Sequence, residues 1–250
     1  MPYLSLKSAS LDLHIGHYGL KDLFKRSAKR GSDARLSVNG TGAYCRALEN
    51  LNIEIGSGER VGVIGANGAG KSTLLRVLAG IYAPTEGEYF ASGRASTLFT
   101  ANLGMNPNAS GEENIFLSAR TLGLSRAEIA NAKQDIIDFV DLGDFIKMPL
   151  RTYSAGMKMR LGFAVATALQ PEILLVDEVF GTGDASFQKR AKERITNLMS
   201  RAGILVLATH SNGTIREFCD RVIWLENGKI KFDGEAGEGI KQFSKALTKT

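Results

Sequence analysis

The chain has 250 residues, a formal net charge of +5, and 44% hydrophobic and 23% charged residues. That length accommodates one large domain, or a core with a small subdomain, and buries a substantial interior. The composition is ordinary for a soluble globular protein, and no uninterrupted apolar run reaches the roughly 18 residues a membrane-spanning helix needs. The N-terminal MPYLSLKSASLDL lacks the basic-then-apolar order of a secretory leader, so a cytoplasmic chain able to dock on a membrane partner is expected. Cys45 and Cys219 have no metal-ligand spacing and read as two reduced thiols. The mild, dispersed charge suits an anionic ligand or a membrane surface and does not by itself indicate nucleic acid.

Residues 3–13 alternate apolar and polar side chains and predict a strand. Residues 19–43 form a basic stretch ending in a Gly/Ser/Asn-rich loop. Leu20, Leu23 and Phe24 share one helical face there, with Lys21, Lys25, Arg26, Lys29 and Arg30 around it. That pattern fits either a short solvated helix or a helix lying at a membrane interface. ALENLNIEI (47–55) predicts a strand, GSGE a turn, and RVGVIG (60–65) a buried strand running into a glycine loop. STLLRVLAGIY (72–82) predicts a helix, and APTEGEYFASGRASTLFT turns with short strands. Residues 111–147 are mostly helical by pattern, with Ser125 and Glu128 spaced as a capping box. ILLVDEV (173–179) and GILVLATH (203–210) are apolar strands flanked by helices. RVIWLENGKIKFDG predicts a hairpin turning at Asn227-Gly228, and 236–247 a final helix. Apolar strands separated by helices imply an α/β fold, with a mostly parallel sheet covered on both faces.

GANGAGKST, residues 65–73, matches G-x-x-x-x-G-K-[ST] in full, after a predicted strand and at the start of a predicted helix, as the motif requires. Gly65, Ala66, Asn67, Gly68, Ala69 and Gly70 let successive amides turn inward on phosphates, and the helix N-terminus beginning at Lys71, Ser72 and Thr73 adds partial positive charge. Lys71 is expected to reach the β- and γ-phosphates and the Ser72 hydroxyl to coordinate Mg2+. Ahead of LLVDE (174–178) stands Ile173, and the four apolar residues 173–176 place Asp177 at the C-terminal end of a buried strand, where open α/β sheets bind ligands. Asp177 fits a Mg2+ partner, and Glu178 beside it can accept a proton from an attacking water. An acidic pair ending a strand also serves as a helix cap, and the phosphate loop upstream favours the catalytic reading. His210 ends another apolar strand, where it can hydrogen-bond a γ-phosphate; a lone histidine is as a rule structural. YSAGMKMRL (153–161) is the start of a basic amphipathic helix able to hold an anion, although it carries neither a catalytic base nor a metal ligand.

A phosphate loop, then YSAGM, LLVDE, GTGD and ATH in this order resembles the ATP-binding subunit of an ABC transporter, over about residues 44–233. The resemblance implies a P-loop NTPase (RecA-like) fold, with an antiparallel β subdomain and a helical signature subdomain at about 105–168. It implies one ATP-binding domain over 1–250, with 19–43 as a basic insertion. It implies ATP and Mg2+ as ligands and a homodimer with ATP at its interface. Ser154, Ala155, Gly156 and Met157 occupy the place of the signature motif, usually LSGGQ, which holds the γ-phosphate of ATP on the opposite subunit. Ser154 is expected to N-cap the following helix. Asp184 matches the D-loop aspartate, Glu178 the catalytic glutamate and His210 the switch histidine. Two departures stand out: Ala155 and Met157 replace the usual glycine and glutamine, and no glutamine lies between Lys71 and Gln134, which leaves Thr100 nearest the expected Q-loop position. Tyr44, just ahead of the strand starting near Arg46, is the candidate for stacking on adenine; Tyr18 is a weaker candidate, and a packing role for Tyr44 is the other reading.

RTYSAGMKMRLGFAVATAL, GEENI, VDEVFGTGDASFQKRA and IWLENGKI are similar to the subunits that power export of capsule or O-antigen polysaccharides, as is the basic N-terminal insertion. That branch implies a separate membrane permease, a peripheral position on the cytoplasmic face of the inner membrane, no nucleic acid partner, and a lipid-linked polysaccharide as cargo. The rival readings are an ABC exporter for another cargo such as teichoic acid or a drug, and a soluble ABC ATPase, which usually has two cassettes or long coiled-coil or zinc insertions. A P-loop kinase or GTPase is a further rival, against which YSAGM and the lack of an N-K-x-D element argue.

Overall fold

A computed structural model describes residues 1–16, 35–39, 42–97, 104–168, 170–177 and 185–248. The chain divides into two compact units, Met1–Gly93 with Val206–Thr250, and Arg94–Leu205. The basic helix expected around Leu20–Phe24 lies outside the described residues.

The first unit carries an antiparallel sheet in the order β2 (Leu36–Asn39), β3 (Gly42–Ile55), β1 (Tyr3–Gly16), β5 (Glu86–Ser92). Leu4, Leu6, Leu51, Ile53 and Ile55 alternate inward and are almost fully buried, which is what the two-residue period of the sequence demands. β1 bends at bulges, where Ser8 and Asn50 take positive φ. The Ser8 amide donates to Asn52 Oδ1 and the Asn50 amide to Ser10 Oγ, so side chains satisfy what the ladder drops. Arg46 on β3 pairs with both Asp12 on β1 and Glu86 on β5, tying three strands together. Two expectations are corrected here. β3 starts at Gly42, five residues ahead of Ala47, so Tyr44 lies inside the strand. Residues 36–39, read from composition as loop, are a strand, because their alternation lets Leu36 to Asn39 pair with Cys45 to Gly42.

The same unit orders β10 (Lys229–Glu235), β9 (Arg221–Glu226), β4 (Arg60–Ile64) and β8 (Ile204–Ala208), the last of which begins in the second unit. β4 and β9 run parallel, from Val61 opposite Arg221 to Ile64 opposite Trp224. Their near-continuous apolar runs follow from burial on both faces. Helix α1 (Lys71–Leu78) leaves the glycine loop and stops short of the expected Tyr82, because Gly80 takes a positive φ (69°). The hairpin turns at Asn227-Gly228 as expected, with positive φ at both residues.

The second unit pairs β6 (Ala95–Thr97) with β7 (Ile173–Asp177) in parallel and carries helices α2 (Gly111–Thr121), α3 (Arg126–Val140), α4 (Ala155–Ala166) and α5 (Ala185–Arg201). Ile115, Ile136, Val140, Leu161 and Ala164 form one core between α2, α3 and α4. Phe139, Phe163 and Phe187 meet edge-on or stacked, and Arg160, Arg190 and Arg194 lie over their rings, so α3, α4 and α5 are joined by one aromatic and guanidinium cluster. In the first unit, α6 (Asn212–Phe218) and α7 (Ala236–Leu247) complete the fold, α7 over the span expected.

Both Ser125/Glu128 and Ser110/Glu113 form full capping boxes; the second was not anticipated. The Ser125 amide, its hydroxyl and Arg94 hold the Glu128 carboxyl below its ordinary 4.5, at about 2. A depressed folded-state value means that the stabilisation is present above pH 4.5 and lost as pH falls towards about 2. Glu128→Gln is therefore expected to flatten the acid limb of a pH-dependent unfolding profile in that window, and Ser125→Ala to cost about 1 kcal/mol at neutral pH in denaturant unfolding.

Candidate nucleotide-binding site

The phosphate loop begins where β4 ends. Gly65 is buried, Ala66, Asn67 and Gly68 are exposed, and Gly70, Lys71, Ser72 and Thr73 are half-buried. Gly65, Gly68 and Gly70 have φ of 152°, 77° and 110°. At Gly65 a Cβ would come within 2.3 Å of the Leu225 carbonyl oxygen, so only glycine fits. The Ala69 amide closes a turn on the Ala66 carbonyl at 3.1 Å. Lys71 Nζ donates to the carbonyls of Gly65 (2.8 Å) and Ala66 (3.1 Å), which curls the ammonium back over the loop. The result is a concave backbone at a helix N-terminus with a cation above it, an arrangement suited to a polyphosphate.

Two contacts hold this loop from outside. The Gly228 amide donates to the Ala69 carbonyl at 2.9 Å, while the Gly228 carbonyl accepts from the Glu49 amide, also at 2.9 Å. A Cβ at Gly228 would lie 2.6 Å from the Ala47 carbonyl oxygen, at φ +79°. On the other side, Arg35 Nη1 donates to the Gly68 carbonyl at 3.1 Å. Sequence reading assigned neither residue to the site. Asn227-Gly228 was legible as a turn but not as a brace, and Arg35 is one of many basic residues in its stretch.

Tyr44 is half-buried on β3, its ring meeting that of His14 edge-on at 5.2 Å. That contact fits the packing reading and leaves the stacking reading as an expectation. His210 is exposed just past β8, between buried Thr209, whose Oγ1 accepts from the Ser211 amide, and Ser211, which caps α6.

In the second unit, Asp177 ends β7 after the fully buried Leu174 and Leu175, half-exposed at the C-terminal end of the strand as expected. Glu178, Asp184 and Thr100 lie outside the described residues. Ser154 caps α4 as expected, its Oγ accepting from the Met157 amide at 3.2 Å. Ser154, Ala155 and Gly156 are exposed, so the helix start opens outward. Tyr153 turns inward: it is buried, its hydroxyl donates to the Phe145 carbonyl at 2.6 Å, and burial raises its phenol pKa. Gly111 gives it room, since a Cβ there would lie 2.2 Å from the Tyr153 oxygen. Met157 packs against the same core.

A strand, a glycine loop with exposed amides and a helix that begins with lysine and serine define a phosphate-loop nucleotide-binding protein. Residues 48–181 match the family described as ABC transporter, and the chain belongs to that family as an ATP-binding, ATP-hydrolysing subunit. It is 49% identical over 184 residues to the O-antigen export system ATP-binding protein RfbE of Yersinia enterocolitica, covering 74% of this chain and 77% of that one. It is 42% identical over 197 residues to the teichoic acids export ATP-binding protein TagH of Shouchella clausii, covering 79% of this chain and 54% of that longer protein. Among solved structures, a dimeric ATP-binding cassette in a post-hydrolysis state with ADP and Pi shares the fold, with a TM-score of 0.64 at 20% identity over 93% of this chain and 98% of that one.

Gly228→Ala is expected to lower stability by about 2 kcal/mol and to weaken ATP binding, measured by thermal unfolding and calorimetric titration. Tyr153→Phe keeps the ring and loses one buried hydrogen bond; a stability loss of about 1 kcal/mol in denaturant unfolding is expected.

Proposed function

We propose that two copies of this chain bind two ATP molecules between them and drive export of a cell-surface polysaccharide, lipid-linked O-antigen or capsule, through a separate membrane permease. The 49% identity to an O-antigen export subunit carries the choice of cargo. The 42% identity to a teichoic acid export subunit favours that polymer as the second reading. Among the described residues no helix is long and apolar enough to cross a membrane. This is in keeping with a peripheral subunit on the cytoplasmic face, docked on its permease. The whole of 1–250 is read as one ATP-binding domain, with 19–43 as the insertion and 105–168 as the signature subdomain.

In the proposed site, the amides of Gly65, Ala66, Asn67, Gly68, Ala69 and Gly70 cradle the phosphates, with Ser72 and Thr73 at the helix start. Lys71 exchanges its loop carbonyls for phosphate oxygens. The Ser72 hydroxyl and Asp177 carboxylate are hard oxygen donors that suit Mg2+, whose charge offsets that of the phosphates. Glu178 takes the proton from the attacking water. His210, exposed just past β8, reaches the γ-phosphate, and Tyr44 is the candidate for the adenine. Thr100 stands at the Q-loop position. Ser154, Ala155, Gly156 and Met157 address ATP on the opposite copy, and Asp184 links the two sites. The exposed, Ser154-capped start of α4 supports this in-trans role, because it offers free helix amides to an anion. Fixed donors of this kind supply most of the catalysis in phosphoryl transfer.

Glu178→Gln is expected to keep ATP binding, abolish turnover and trap a dimer, seen by ATPase assay and size-exclusion chromatography; wild-type turnover would remove Glu178 from the role of base. Ser154→Arg is expected to stop hydrolysis while the isolated subunit still binds ATP. Loss of binding instead would place Ser154 in the same-subunit site.

A further inference from the structure

We propose that Arg35 is a positioning residue of the ATP site, supplied by the basic insertion, that holds the phosphate loop for a nucleoside triphosphate and adds its charge there. The backbone of Arg35 is placed by the inserted strand β2: its carbonyl accepts from the Arg46 amide at 2.7 Å, and Leu36 pairs with Cys45 directly after it. From this position Nη1 reaches the Gly68 carbonyl at 3.1 Å, in the exposed part of the loop.

A trans peptide points its C=O and the next N–H in opposite directions. Holding the Gly68 carbonyl outward therefore turns the Ala69 amide inward, where it closes the turn on Ala66. Gly228 does the same one peptide later, through the Ala69 carbonyl. The two braces come from different hairpins and meet on successive peptides. By touching the loop, the guanidinium of Arg35 puts its charge well within the Debye length of about 8 Å at physiological salt. An anion on the loop therefore feels that charge.

This inference rests on the phosphate loop being the ATP site, so the test carries Lys71→Ala as a control. Full-length wild type, Lys71→Ala, Arg35→Ala and Arg35→Lys are titrated with Mg-ATP by calorimetry from about 0.05 to about 0.5 M KCl. Arg35→Ala is expected to raise the Kd for ATP about fivefold at low salt, with the gap to wild type narrowing as salt rises. Arg35→Lys, which keeps the charge, is expected to recover most of the loss. If Lys71→Ala abolishes binding while Arg35→Ala matches wild type, the role of Arg35 is overturned and the ATP site stands. If Lys71→Ala binds ATP normally, the site reading falls and this inference with it. A salt-independent loss that Lys does not relieve, with an equal drop in melting temperature without nucleotide, marks Arg35 as a structural brace alone and overturns the charge role.

Discussion

The hydrogen bond from the Gly228 amide to the Ala69 carbonyl, 2.9 Å long, is the constraint on which the candidate nucleotide site depends. It ties a hairpin near the end of the chain to the middle of the phosphate loop and sets the peptide plane that orients the Gly70 amide. The bond exists only because residue 228 lacks a side chain: a Cβ there would meet Ala47 of β3. Three segments far apart in sequence, the loop, β3 and the β9–β10 hairpin, thus converge on one glycine. The strands leading into the loop and the hairpin bury Val61, Val63, Val222, Ile223 and Leu225 fully. Apolar burial stabilises the frame without direction, and the few directed hydrogen bonds on it decide where the loop's amides point.

The second unit solves a similar problem with a tyrosine. Tyr153 stands directly before Ser154, the cap of α4, and its hydroxyl is anchored to the Phe145 carbonyl in the turn after α3. The approach is close enough that the first residue of α2 has to be Gly111. Asn114, one turn further and fully buried, donates to the carbonyls of Asn106, Ala109 and Ser110 and accepts from the Asn106 amide. GEENI and YSAGM, which look like separate marks of one branch of the family, are therefore two halves of one packing arrangement. The cluster of Phe139, Phe163 and Phe187 carries the arrangement on to α5, so α4 and α5 are held together.

Much of this was legible in the sequence wherever a local rule operates. The phosphate loop, the Ser154 and Ser125 caps, the Asn227-Gly228 turn and the span of α7 all depend on residues within a few positions of one another, and periodicity or turn chemistry reads them directly. What was missed depends on contacts between distant segments. β2 is four residues of a polar, glycine-flanked stretch and becomes a strand only because β3 offers a partner. Tyr44 looked like a residue ahead of a strand because the alternation of β3 is clear only from Ala47 onward, whereas its pairing with β1 begins at Ala43 opposite Gly16. Arg35 and Gly228 act on the loop through single hydrogen bonds across long separations, and no spacing rule signals those.

Gly156 shows how buried and exposed positions separate at the start of α4. Along this stretch Tyr153, Met157 and Leu161 face the subdomain core, and Arg160 lies over Phe187. Ser154, Ala155 and Gly156 face out. The methyl of Ala155, where the usual signature has glycine, thus enters solvent and costs the fold nothing. Glycine in a helix gives up about 1 kcal/mol relative to alanine, yet a Cβ built on Gly156 finds only Ser154 Oγ at 3.9 Å. Its own unit therefore places no steric demand for glycine at 156. A residue that costs helix stability and is not required by its surroundings makes physical sense when something outside has to approach the backbone closely. The phosphate group proposed above to approach the start of α4 would be such a thing, and the small residue at 156 would leave its path open.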